Sequence, residues 1–133
     1  MEMHEEKMVV TPDGMELFHI RDIPGDPKAI IVLVHGLAEH CGRYDYVVQK
    51  LNDFGYGVYR FYNRGHGRSG GKRGYLDDFQ KFIDDADLFV DRAKKENPEL
   101  PIFMLGHSMG GFITAGYGAK YPGKLKGQIF SGP

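Results

Sequence analysis

The chain has 133 residues, of which 41% are hydrophobic and 26% charged, and its net charge is −1 with histidine neutral. These values are typical of one globular domain, and we assign residues 1–133 to a single domain. The balanced charge disfavours a nucleic-acid partner, which requires a basic surface, and the single cysteine, Cys41, excludes an internal disulfide.

The first residues of the chain are acidic and lack the apolar core of a signal peptide. No segment approaches the 18 or so consecutive apolar residues that a membrane-spanning helix requires. We therefore expect a cytoplasmic protein without a transmembrane segment, and the lone cysteine agrees with a reducing compartment.

A β-hairpin is predicted at the start of the chain. Residues 8–11 and 15–22 are its two predicted strands, and Pro12, Asp13 and Gly14 between them supply the chemistry of a turn. A loop follows the second strand.

Strands and helices then alternate to the end of the sequence. A continuous β-branched run at residues 29–36 is typical of a strand buried on both faces of a parallel sheet. Apolar residues at helical spacing predict amphipathic helices, of which the clearest starts near Asp77 or Asp78, either of which can cap it. The predicted strands are 29–36, 57–62, 101–106 and 126–132, and the predicted helices are 44–55, 79–97 and 109–121. This order predicts an α/β fold: the hairpin, then a mostly parallel sheet with right-handed crossovers and helices on both faces.

The strand at 101–106 leads into the sequence Gly106-His107-Ser108-Met109-Gly110, which fits the pattern G-x-S-x-G. In α/β-hydrolases this pattern forms a sharp strand-to-helix turn that exposes a serine nucleophile. Glycines on either side remove Cβ atoms that would collide across the turn. The N–H groups at the start of the new helix, that of Met109 first, can stabilise an oxyanion.

A second glycine follows the first parallel strand, in the sequence His35-Gly36-Leu37. It lets the backbone approach a bound acyl group, so the N–H of Leu37 is a candidate second oxyanion donor. For the side chains of His35, Glu39 and His40 we favour hydrogen bonds that fix the loop. Their spacing does not indicate a metal site, and no cofactor is expected.

Three segments, "HGLAEHCGRY", "NRGHGRSGG" and "LGHSMGG", resemble in order and spacing the monoglyceride lipase/lysophospholipase branch of the α/β-hydrolase superfamily, also called serine aminopeptidase S33-like. The resemblance runs from about residue 8 to residue 133. It implies hydrolysis of monoacylglycerols, lysophospholipids or similar esters, with Ser108 as the nucleophile. The backbones of Leu37 and Met109 fall on the oxyanion-hole positions of the family.

The glycine-rich segment contains Arg64, His66 and Ser69. His66 could act as a general base or contact the substrate, but we favour a hydrogen-bonded loop beside the site. His107 is a poor base candidate, because neighbours on a sharp turn point in different directions. Nothing in the sequence marks Cys41 as an activated thiol.

A serine nucleophile needs a histidine base and a carboxylate that orients it, and in this fold both follow the serine along the chain. None of the 25 residues after Ser108 is Asp, Glu or His. The resemblance implies that both groups lie beyond a cap segment that follows the strand at 126–132. We therefore expect an N-terminal half, inactive or weakly active alone, whose exposed strand at 126–132 associates with another copy or with a C-terminal half.

Two other hypotheses remain open. The chain could be a non-catalytic half-fold that binds an apolar ligand or a protein partner. Alternatively, it could be a complete enzyme whose base is His35 or His66, in an unusual chain order.

Overall fold

The computed structural model describes residues 2–35, 44–64, 69–70 and 79–131. These ranges contain six strands and three helices. In chain order they are β1 (Met3–Val10), β2 (Glu16–Ile23), β3 (Ala29–Val34), α1 (Asp45–Asp53), β4 (Tyr56–Phe61), α2 (Phe79–Glu96), β5 (Ile102–His107), α3 (Met109–Lys120) and β6 (Gly127–Ser131).

The six strands form one sheet in the order β1-β2-β4-β3-β5-β6. β1 pairs antiparallel with β2, and β2 antiparallel with β4. The pairs β4–β3, β3–β5 and β5–β6 are all parallel. The predicted combination of a hairpin and a mostly parallel sheet is therefore confirmed.

β3 lies in the middle of the parallel part, and all six of its side chains are buried. Val32 and Val34 point to one face, where they join the main core beneath α2 and α3. Leu33 points to the other face and packs with Val48 of α1 and Val58 of β4. Helices thus cover both faces, which explains why the strand is apolar along its whole length rather than alternating.

The first strand is longer than predicted, since β1 begins at Met3 rather than at residue 8. Its early residues are polar and show no apolar alternation, yet they pair with β2 through charge. Glu5 lies opposite Arg21 with 3.1 Å between carboxylate and guanidinium, and His4 lies opposite Asp22 and contacts its carboxylate. Because both partners are needed to recognise such pairs, the pattern of one strand did not predict them.

The hairpin turn forms where Pro12, Asp13 and Gly14 predicted it. The Gly14 N–H donates to the Thr11 carbonyl at 2.9 Å, and Gly14 has a φ of 87°, which favours glycine. The Thr11 hydroxyl accepts the N–H of Met15 at 2.9 Å and so closes the turn.

The three helices have 9, 18 and 12 residues. Each ends within two residues of its predicted limit, but the proposed caps Asp77 and Asp78 lie outside the described residues. β5 is displaced by one residue from its prediction and includes His107. Among the helices of the described ranges, none is long and apolar enough to cross a membrane.

Candidate active site

Ser108 is the single residue between the end of β5 and the start of α3. Its φ of 56° and ψ of −119° lie in a region that non-glycine residues rarely adopt. Such a conformation costs free energy and persists only where the surrounding structure enforces it, which is most often at functional sites. The serine predicted from the pattern therefore sits on a sharp, strained turn from strand to helix.

The glycines around Ser108 allow α3 to pack directly on the ends of two strands. A Cβ on Gly106 would lie 2.2 Å from the carbonyl oxygen of Gly110 and 2.3 Å from the hydroxyl of Thr114. A Cβ on Gly110 would lie 2.1 Å from the carbonyl oxygen of Val34, the last residue of β3. Both clearances are too short for any side chain, so the geometry requires glycine at these two positions.

The helix starts in a way that leaves donors beside the serine. Met109 is the first residue of α3, so its N–H has no acceptor within the helix. The carbonyl of Ser108 accepts the N–H of Gly111 at 2.8 Å, which closes the first turn. The positive end of the helix dipole therefore lies at Ser108, where it favours a developing negative charge.

His107 is half-buried, and its ring contacts residues other than Ser108. Its Nδ1–H donates to the carbonyl of Ser131, at the end of β6, at 2.7 Å. Its ring also meets that of Tyr44 edge-on, with 6.3 Å between centroids. These contacts agree with the expectation that His107 is a poor candidate for the base.

His35 is a buried residue, 1% exposed, at the end of β3. Its Nε2 accepts the N–H of Asn63 at 2.8 Å, and its carbonyl accepts the Asn63 side-chain amide at 3.4 Å. A neutral imidazole has one acceptor nitrogen, and here a backbone donor occupies it. These contacts support the hydrogen-bonding role favoured from the sequence and argue against His35 as the catalytic base.

Several predicted site residues lie outside the described residues. They are Gly36, Leu37, Glu39, His40, Cys41 and His66, so the second oxyanion donor and the alternative base remain predictions from the sequence.

Arg64 follows β4 and is anchored by two carboxylates. Its guanidinium binds Asp85 of α2 through two hydrogen bonds of 2.7 Å and reaches Asp13 of the hairpin turn at 3.1 Å. Asp85 is 3% exposed and Arg64 8%. The hydrogen bonds to Asp85 raise the pKa of Arg64, and those from Arg64 lower the pKa of Asp13 to about 2. This pairing holds the turn, the loop after β4 and α2 together.

Ser69 anchors the far side of the same loop. Its buried hydroxyl accepts the N–H of Phe18 at 2.8 Å and donates to the carbonyl of Tyr62 at 2.7 Å. The N–H of the next residue, Gly70, donates to the carbonyl of Glu16 at 2.7 Å. For Arg64 and Ser69, these contacts agree with the hydrogen-bonded loop favoured from the sequence.

Sequence reasoning missed the residues that support the turn from distant positions. In the sequence, Asp85 is one of several acidic residues of a predicted helix. In the structure it is the buried partner of Arg64. Thr114 reads as a helical threonine, yet its hydroxyl donates to the Gly110 carbonyl at 2.8 Å. The one signal in the sequence is its spacing: Asp85 lies three residues after Phe82 and four before Phe89, beside the apolar stripe of the helix.

Over the described parts of the chain, no three His, Cys, Asp or Glu side chains come together in a way that could hold a metal ion.

Comparisons with known proteins identify the family of the chain. The sequence profile of the family described as "Serine aminopeptidase, S33" matches residues 25–133, which is most of the chain. The chain belongs to this family. The predicted family resemblance is thereby confirmed.

Among curated proteins of this family branch, the monoacylglycerol lipase of Mycolicibacterium smegmatis is 49% identical over 108 residues, 81% of this chain and 39% of its own length. The monoglyceride lipase of Rattus norvegicus is 42% identical over 126 residues, 94% of this chain and 42% of its own length. The chain therefore spans about two fifths of the length of these relatives.

Solved structures share the fold. A soluble variant of the Saccharomyces cerevisiae monoglyceride lipase, in complex with a substrate analog, superposes with a TM-score of 0.85 at 26% identity, over 96% of this chain and 43% of that one. The Paleococcus ferrophilus monoacylglycerol lipase gives a TM-score of 0.75 at 38% identity, over 88% of this chain and 43% of that one. The chain thus has the fold of the N-terminal half of an α/β-hydrolase.

Proposed function

We propose that this chain is the nucleophile-bearing half of a serine hydrolase that cleaves carboxylic esters of the monoacylglycerol or lysophospholipid type. The observation that carries the proposal is the conformation of Ser108, with φ of 56° at the junction of β5 and α3. Family membership and relatives called monoacylglycerol lipases support the ester class.

In the proposed reaction, the Ser108 hydroxyl attacks the ester carbonyl and passes its proton to a histidine base. The oxyanion of the tetrahedral intermediate accepts hydrogen bonds from the N–H of Met109 and from the N–H of Leu37, the second predicted donor. The C–O bond to the alcohol then breaks, and the alcohol leaves with the proton from the base. Water hydrolyses the acyl-serine by the same steps and releases the fatty acid.

The base and the carboxylate that orients it are proposed to lie in the part of the protein beyond these residues. Two observations support this. The relatives are more than twice as long as this chain, and His35, the described alternative, already accepts a backbone N–H. In this fold the acid and the base follow the serine in chain order.

The remaining half is proposed to join the sheet beside β6. Within the described ranges β6 pairs only with β5, which leaves its other edge open. Two large apolar side chains of β6 are exposed, Phe130 at 56% and Ile129 at 45%. Without the C-terminal half, a second copy of the chain is the expected occupant. A cytoplasmic location stays a prediction from the sequence.

The test is hydrolysis of a monoacylglycerol and of a lysophospholipid by the full-length protein, compared with its Ser108→Ala variant. We expect hydrolysis of at least one substrate and a loss of roughly 10⁴-fold or more in kcat for the variant. Cys41→Ala is the control, since it removes the one thiol of residues 1–133 and should retain activity. An inactive full-length protein that binds apolar ligands or a protein partner would favour the non-catalytic hypothesis instead.

A further inference from the structure

The strained turn at Ser108 is held from the side by the end of β6. The carbonyl oxygen of Ser131 accepts two donors from consecutive residues of the turn. These donors are the Nδ1–H of His107 at 2.7 Å and the backbone N–H of Ser108 at 3.4 Å. The side-chain bond is the shorter of the two, so the imidazole, rather than the backbone, makes the closer link between the turn and β6.

The hydrogen bond to Ser131 also determines which nitrogen of His107 carries a proton. A carbonyl oxygen can only accept, so Nδ1 is the donor, and the ring is oriented by that bond. The ring also meets that of Tyr44, with 6.3 Å between centroids and 70° between ring planes. This is the edge-to-face arrangement that aromatic rings prefer.

Tyr44 is the residue directly before α1, and Ser131 is the last residue of β6. His107 itself is the last residue of β5. One side chain therefore contacts both the residue before α1 and the last residue of β6, next to the proposed nucleophile. Because His107 is the neighbour of Ser108, these contacts can stabilise the orientation of Ser108, while the His107 side chain itself does not touch the reacting atoms.

We propose that His107 is a positioning residue, which holds Ser108 in its reactive orientation by donating its Nδ1–H to the Ser131 carbonyl and packing against Tyr44. The inference rests on the proposed function, in which Ser108 is the nucleophile. The proposal requires a hydrogen-bond donor at the Nδ1 position and requires none at the Nε2 position. Small displacements of a nucleophile have large effects on rate, because the reacting atoms must meet within a narrow range of geometry.

Three substitutions of His107 in the full-length protein separate these features. In His107→Asn, the side-chain amide nitrogen falls where Nδ1 was and keeps a donor for Ser131. In His107→Gln, the amide falls near the Nε2 position instead, and His107→Leu removes both donors. We expect kcat, and the rate of Ser108 labelling by a fluorophosphonate, to fall about ten-fold or more for Leu and Gln. The Asn variant should keep most of both rates, KM should change less than two-fold throughout, and the pH–rate profile of the Asn variant should keep its shape.

Hydrogen exchange supplies a readout that does not depend on activity. The amide of Ser108 and the amides of residues 127–131 should exchange faster in the Leu and Gln variants than in the wild type and the Asn variant. Equal labelling rates for Leu and wild type would overturn the proposal, as would an Asn variant as impaired as Leu. Loss of activity in Asn together with a missing limb of the pH–rate profile would make His107 a base. If the wild type neither hydrolyses esters nor labels at Ser108, the proposed function has failed, and His107 has no nucleophile to position even where the exchange pattern holds.

Discussion

The strained conformation of Ser108 depends on nearby glycines that have no room for a side chain. Gly110 shows how strict this is: a Cβ there would lie 2.1 Å from the Val34 carbonyl oxygen, which belongs to the central strand and cannot move aside. Its neighbour Gly111 has only ordinary contacts, the nearest at 3.8 Å from the Gly106 carbonyl oxygen and from the Phe130 ring. Two adjacent glycines of one helix therefore have different roles.

The Gly110→Ala substitution should lower the free energy of unfolding by about 3 kcal/mol or prevent folding, since overpacking against backbone cannot be relieved by rotating a side chain. Gly111→Ala is the matched control and should raise stability by about 0.5–1 kcal/mol, because alanine favours the helix. Urea unfolding of the two full-length variants measures both values. Equal effects of the two substitutions would contradict the packing described for the turn.

His19 provides a pH-dependent test of the core. It is 1% exposed, donates Nδ1–H to the Arg60 carbonyl at 2.7 Å and packs against the rings of Tyr59 and Phe89. Burial lowers its pKa to about 4, so the neutral form is favoured in the folded state. Its contribution to stability is complete above the unfolded pKa of about 6.5 and is lost as the pH falls towards 4.

Between about pH 7.5 and pH 5, this histidine should account for about 2 kcal/mol of lost stability. His19→Asn keeps a donor for the Arg60 carbonyl but cannot titrate in this range. Its free energy of unfolding should be lower at neutral pH, because the smaller side chain leaves a cavity, and should fall less between the two pH values. Urea titrations at both pH values measure the difference. A variant with the same loss as the wild type would show that His19 is not the group responsible.

At the residue scale, the sequence predicted Ser108 and its flanking glycines because that pattern is local: strand, turn and helix are consecutive. It did not predict the partners of His19, His107 or Arg64. The hydrogen-bond acceptors of these three residues that lie nearest along the chain, Arg60, Ser131 and Asp85, are still 41, 24 and 21 positions away, and only the folded chain brings them together.

At the level of elements, Arg64 links α2, through Asp85, to the hairpin turn, through Asp13, in addition to the pairing of β2 with β4. Asp85 of α2 binds the guanidinium through both carboxylate oxygens, and Asp13 of the hairpin turn binds it from the other side. The neighbour Asp84 also forms an ion pair, to Lys120 at 2.6 Å, but its side chain is 48% exposed.

Asp85→Asn should lower the free energy of unfolding by about 3 kcal/mol, because it removes the main counter-charge of a buried guanidinium. Asp84→Asn should cost about 0.5 kcal/mol or less, as exposed ion pairs usually do. Both are isosteric substitutions on the same helix, and urea unfolding compares them directly. If Asp84→Asn cost as much as Asp85→Asn, the buried pair would not be the link between these elements.

The types and order of the elements were predictable because each pattern of apolar residues indicates one type of element. Continuous apolar runs indicate the buried strands, and helical spacing indicates α2. The start of β1 was not predictable in this way. Its residues are polar, and its pairing depends on Arg21 and Asp22 across the hairpin.

At the scale of the whole molecule, the two edge strands of the sheet, β1 and β6, differ in their side chains. β1 places charged residues such as Glu5 and Glu6 along its edge, which discourages pairing with another chain. β6 has no charged residue and exposes Ile129 and Phe130 instead. β1 also exposes Met3, Met8 and Val10, so the edges differ in their charged side chains, which oppose pairing at β1 and do not occur in β6.

Residues 1–133 expressed alone should therefore self-associate, and light scattering should give a mass above that of a monomer at micromolar concentration. Phe130→Lys should shift the population towards monomer, because a charged side chain on an open edge opposes strand pairing. Met8→Lys, on the exposed surface of β1, is the control and should have no such effect. A stable monomer at high concentration would contradict this account of β6.

The central claim is that Ser108 is the nucleophile of an enzyme whose base and acid come from the other half of the protein. Fluorophosphonate labelling, with the modified residue mapped by mass spectrometry, tests it most directly. The full-length protein should be labelled at Ser108 and the Ser108→Ala variant should not be labelled, while residues 1–133 alone should react at least 100-fold more slowly, because they lack the base. Labelling of the isolated chain at the full-length rate, or labelling of the full-length protein at another residue, would contradict the claim.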